Sequence, residues 1–83
     1  MVRGRVQGVG FRASVAETAR ALGLGGWVRN RPDGTVEVDA AGEEEALRAF
    51  ERFLRRGPRM AHVSGIDSFW NDGTTGSSSF EIR

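Results

Sequence analysis

Val2, Gly4 and Val6 alternate with Arg3 and Arg5 at the start of the chain, the two-residue period of a short strand with one buried face. Gln7-Gly8-Val9-Gly10 breaks that period. From Phe11 to Leu22 the apolar residues Phe11, Val15, Ala19 and Leu22 fall at spacings of four and three, which lines them up on one helical face. Gly23, Gly25 and Gly26 are read as the end of that helix. Trp27-Val28-Arg29-Asn30 then runs into the turn cluster Arg31-Pro32-Asp33-Gly34, and Thr35-Val36-Glu37-Val38 alternates cleanly after it, so a hairpin is expected.

Glu43 to Arg56 predicts a second helix with Ala46, Leu47, Phe50, Phe53 and Leu54 as its apolar stripe. Acids open it and Arg55-Arg56 close it, the charge order a helix dipole favours. Gly57-Pro58 stops it. Ala61 to Trp70 reads as a fourth strand, residues 71–79 as a Gly/Ser-rich loop, and Phe80 to Arg83 as a short terminal strand. Trp27, Phe50, Phe53 and Phe80 are the expected aromatic core. The element order is that of two split βαβ units. The expected fold is therefore α+β, a ferredoxin-like βαββαβ sandwich with an antiparallel sheet and two helices on one face.

Composition sets limits on this picture. At 83 residues the chain is read as one domain, 1–83, too short for a two-half dinucleotide-binding sheet or a barrel enzyme. With no Cys it has neither disulfides nor thiolate metal sites. No apolar run approaches the ~20 residues of a membrane span and no leader is evident, so a cytoplasmic protein is expected. Charge is more informative than its net value of +1. All 12 basic residues are Arg. Residues 1–31 set six Arg against Glu17, a local balance of +5, while residues 32–83 set six Arg against ten acids, a balance of −4. A basic half points to an anionic partner, and Arg suits tetrahedral oxyanions because its planar fork makes two parallel hydrogen bonds.

Two segments can carry chemistry. In Gly4-Arg5-Val6-Gln7-Gly8-Val9-Gly10-Phe11-Arg12, a glycine-spaced loop joins a strand to a helix N-terminus. Gly8 and Gly10 permit backbone angles that aim successive N–H groups into one concavity, and the helix adds its own unpaired N–H groups. Arg12 in the first helical turn can fork onto the captured anion. Its charge opposes the dipole there, a local cost that suggests a ligand or an acid nearby. In Gly26-Trp27-Val28-Arg29-Asn30-Arg31-Pro32-Asp33-Gly34, Asn30 ends a strand, and its amide offers a donor and an acceptor able to hold and aim a water.

Taken together, the two segments resemble the two signatures of the acylphosphatase family, and the likeness runs over nearly the whole chain. The resemblance implies hydrolysis of acyl phosphates to a carboxylate and orthophosphate, without metal or cofactor; a monomer with no nucleic-acid or membrane partner is expected. It implies that Arg12 binds the phosphoryl group, that Asn30 positions the attacking water, and that Gln7, Gly8, Val9 and Gly10 form the substrate-binding loop. Three features depart from the family pattern: the first strand begins late, Ala13 stands where an aromatic is common, and the 71–79 stretch is unusually rich in Gly and Ser.

Other readings fit less well. Gly8-Val9-Gly10-Phe11-Arg12-Ala13 matches a dinucleotide fingerprint, but no acid stands about twenty residues on. An RNA-binding module would suit the basic half, yet the paired sheet aromatics are missing. A third reading makes the same loop a phosphate or carbamoyl-phosphate pocket within a larger assembly, for which no partner domain is expected in this chain. His62 is read as structural, and Glu43-Glu44-Glu45 as a solvated helix start.

Overall fold

A computed structural model describes residues 1–7, 10–57, 61–68 and 79–83. Its elements run β1 (Val2–Arg5), α1 (Phe11–Ala21), β2 (Gly25–Asn30), β3 (Val36–Ala41), α2 (Glu44–Arg56), β4 (His62–Ile66) and β5 (Phe80–Ile82). The strands form one sheet in the order β4-β1-β3-β2-β5. The first four strands pair antiparallel, whereas β5 adds to the free edge of β2 in parallel, so the sheet is mixed. The ferredoxin-like expectation holds, with this parallel strand as its extension.

The core follows from the two periodicities. Phe11, Val15, Ala16 and Ala19 are the buried stripe of α1, and Phe50 and Leu54 that of α2. They meet Val2, Val28, Val36 and Phe80, each the inward residue of its strand. Phe50 and Phe80 pack edge to face with ring centres 6.0 Å apart, which ties α2 to β5.

Three expectations change. Gly25 and Gly26 belong to β2 rather than to the end of α1, which closes at Leu22 and Gly23. Gly26 has φ 134°, and a Cβ there would lie 1.9 Å from the Asp39 carbonyl oxygen, so glycine is what lets β3 approach. Trp27 is not core. Val28 beside it is fully buried, and alternation turns Trp27 to the outer face, half-buried between the guanidinium groups of Arg29 and Arg83, each 5.2 Å from a ring centre. The fourth strand spans only His62–Ile66; Asp67 instead donates its N–H to the Met1 carbonyl. Phe69, Trp70 and the 71–78 part of the expected loop lie outside the described residues. Among the described residues no helix is long and apolar enough to cross a membrane.

Candidate active site

The loop between β1 and α1 is tied down by Gln7. Its side-chain Nε2 donates to the main-chain carbonyls of Arg31 and Thr35, at 2.9 Å each. Both amide protons are thereby used, which leaves the main-chain N–H of Gln7 as its donor toward a ligand. Gly8 and Val9 lie outside the described residues. Gly10 caps α1 in the left-handed conformation (φ 72°, ψ 18°), and the space where a Cβ would project is open. Its carbonyl accepts the first helical bond, from the Ser14 N–H at 3.1 Å.

Arg12 follows in the first turn of α1, where no acidic residue balances it. Its Nη1 donates to the Arg83 carbonyl at 3.2 Å, while the Arg83 N–H donates to the Val28 carbonyl at 2.8 Å. The end of β5 thus bridges Arg12 to β2 just short of Asn30. Asn30 is the last residue of β2, opposite Val36 and on the same side of the strand as buried Val28. Its Oδ1 is buried and has no hydrogen-bond partner among the described residues. A buried acceptor costs about 1–3 kcal/mol unless a water or another group meets it.

The turn after Asn30 is held from within. The Arg31 N–H donates to the Thr35 carbonyl at 2.9 Å and the Gly34 N–H to the Arg31 carbonyl at 3.1 Å. Asp33 Oδ1 accepts from the Thr35 hydroxyl at 2.6 Å and from its N–H at 3.0 Å. The hydroxyl bond is the main reason that the Asp33 carboxyl titrates below its ordinary value. On the outer face, Arg29 and Arg31 both donate to Glu37 Oε1, and the Arg29 bond in particular holds the Glu37 carboxyl down.

Most of the basic half is therefore spoken for by other partners. Arg3 pairs with Asp67, Arg29 and Arg31 with Glu37, and Arg20 with the Phe80 carbonyl. Arg12, like Arg20, meets a carbonyl and no carboxylate among the described residues, but does so in the first turn of α1.

The acylphosphatase family model matches residues 1–82. This chain belongs to the acylphosphatase family. It is 48% identical to an acylphosphatase of Anaeromyxobacter dehalogenans across 100% of this chain and 89% of that one. It is also 59% identical to one of Pseudomonas paraeruginosa across 80% of this chain and 72% of that one. The crystal structure of an acylphosphatase from Bacillus subtilis superposes with a TM-score of 0.95 at 41% identity, covering 99% of this chain and 91% of that one.

In this acylphosphatase-family chain, Gln7, Gly10, Arg12 and Asn30 all stand at the end of the sheet where β1, β2 and β5 finish. An open hollow lined by Arg20, Gly23, Leu24, Ser79 and Phe80 lies at the other end of α1, away from them. Sequence reading missed three groups that support the site: the carbonyls of Arg31, Thr35 and Arg83. Main-chain acceptors carry no side-chain signature, and pairing of β5 with β2 was the information needed to find the last of them.

Proposed function

We propose that this chain hydrolyses acyl phosphates to a carboxylate and orthophosphate, with Arg12 binding the phosphoryl group and Asn30 positioning the water. The buried, unpartnered Oδ1 of Asn30, set beside the strand end that holds Arg12, is the observation that carries this reading. The phosphoryl oxygens sit against main-chain N–H groups of the Gln7-Gly8-Val9-Gly10 loop and the guanidinium of Arg12. Asn30 Oδ1 accepts a hydrogen bond from water and turns the water's lone pair toward phosphorus.

Water forms the new P–O bond as the bond between phosphorus and the acyl oxygen breaks. The carboxylate leaves with the electron pair, and the water's proton passes to a phosphate oxygen. A leaving group whose conjugate acid has a pKa of ~4–5 needs no general acid. Phosphoryl transfer of this kind depends on positioning and charge stabilisation, which one guanidinium, one amide and a loop of N–H groups supply. The reaction as proposed uses no metal or cofactor, and the protein acts as a single-domain cytoplasmic monomer without nucleic-acid or membrane partners.

Benzoyl phosphate hydrolysis with chelator present tests this. Arg12→Ala and Asn30→Ala are each expected to lose at least about a hundredfold in turnover while remaining folded. Turnover that persists in Arg12→Ala, or that collapses with chelator in the wild type, overturns the mechanism.

A further inference from the structure

Ile82 is the large hydrophobic side chain that stands exposed among the described residues, at 45%. A single exposed apolar residue is ordinary; its position here is not. Glu81 and Arg83 pair with each other at 3.3 Å, and Arg83 stacks on outward Trp27. Phe80 points into the core. Strand alternation therefore turns Ile82 to the helix side, the side of Phe80, yet Ile82 is not among the side chains packed on the core.

The register gives Ile82 its neighbours. It pairs with Val28 in the parallel ladder, and Asn30 stands two residues further along β2 on the same side. Strand spacing and rise make Ile82 and Asn30 diagonal neighbours, roughly 8 Å apart. The next residue, Arg83, gives its carbonyl to Arg12. In-line displacement orders Asn30, water, phosphorus and acyl oxygen along one direction, which carries the acyl carbons away from Asn30 by a span on the order of 8 Å. Ile82, an uncovered branched aliphatic side chain, stands about that far from Asn30 and next in the chain to the residue that holds Arg12.

We propose that Ile82 is the resting surface for the substrate's acyl group, and that it biases the enzyme toward acyl phosphates with apolar acyl groups, aromatic or branched, over acetyl phosphate. The proposal rests on the Arg12 and Asn30 reading of the site. Covering part of Ile82 with acyl carbons removes apolar surface from water, which acetyl phosphate with its single methyl group does far less.

The test compares kcat/KM for benzoyl phosphate and acetyl phosphate in the wild type, Ile82→Ala, Ile82→Leu and Arg12→Ala. Ile82→Ala is expected to lower the benzoyl-to-acetyl ratio about five- to tenfold, mainly through the benzoyl phosphate KM. Ile82→Leu should restore the ratio to within about twofold of wild type, which a merely structural role for Ile82 would not require. A ratio in Ile82→Ala within about twofold of wild type overturns the proposal even if Arg12→Ala is inactive. Wild-type turnover in Arg12→Ala overturns the site reading itself.

Discussion

Arg12 and Arg20 stand about two turns apart on α1, and both reach across to β5. Arg20 sits in the last turn, where the dipole welcomes a cation, and its Nε and Nη2 both donate to the Phe80 carbonyl, at 3.2 and 2.8 Å. Arg12 sits in the first turn, where the dipole opposes it, and holds the Arg83 carbonyl through Nη1 at 3.2 Å. One helix thus staples one strand twice with the same residue type. At the C-terminal end the local physics favours the contact. At the N-terminal end it does not, and there the Arg83 carbonyl that holds Arg12 belongs to a residue whose N–H bonds Val28, two residues before Asn30. The same contact thus stands where the dipole favours it at one end of the helix and where the dipole opposes it at the other.

Replacing each arginine by lysine breaks the comparison most sharply. Arg12→Lys is expected to lose at least about a hundredfold in kcat/KM for benzoyl phosphate, because a point charge cannot reproduce the fork on a phosphoryl group. Arg20→Lys should stay within about threefold of wild type. Equal losses at both positions would erase the distinction between the two ends.

Gln7 sharpens it from the opposite side of the loop. Gln7→Ala frees the Arg31 and Thr35 carbonyls and loosens the loop against Asn30, with an expected loss of about tenfold in kcat. Made in an Asn30→Ala background, the same change should cost little more, since a residue that acts through Asn30 has nothing left to position. Additive losses in the double variant would count against the clasp.

Stability reads the other arginine. Arg20→Ala is expected to lower the unfolding free energy by about 1–2 kcal/mol in a denaturant titration, the scale of a charge-assisted bond to a carbonyl at a partly buried site. An unchanged midpoint would leave Arg20 without its structural role.

The smallest effect is that of pH. Turnover should stay level across neutral pH, because the proposed mechanism calls on no side chain as general acid or base. Stability should fall only in acid. The Asp33 and Glu37 carboxyls titrate below their ordinary values of 3.8 and 4.5, so their contribution is complete above those values and is lost as pH falls through the lower folded ones. Asp33→Asn with Glu37→Gln should flatten that acid limb in thermal melts, modestly, because Asp33 is exposed and Glu37 is only partly buried.

Much of this was legible in the chain. The stripes from Phe11 and from Ala46 predict both helices, and Gly8, Gly10 and Arg12 are the residues on which an anion-binding loop is expected. Gly25 and Gly26 misled because glycine signals a break locally, whereas both lie in β2 and at Gly26 the partner strand demands it. Trp27 misled because size argues for burial; the stricter signal was its alternation with Val28, which leaves one of the two outside. Asn30 was legible as a residue type at a strand end, but the burial of its oxygen was not, since burial is set by strands far away in the chain. The parallel docking of β5 on β2 left no local trace either.

That docking bears on how the enzyme becomes active. The bond from Arg12 to Arg83 spans 71 positions, and the bonds from Arg20 to Phe80 span 60. Contacts this far apart in sequence close large loops and are among the slowest to form in a small domain. Helices and the central hairpin can therefore be complete before Arg12 and Arg20 meet the end of the chain. Return of activity during refolding is therefore expected to wait on long-range pairings, the docking of β5 among them.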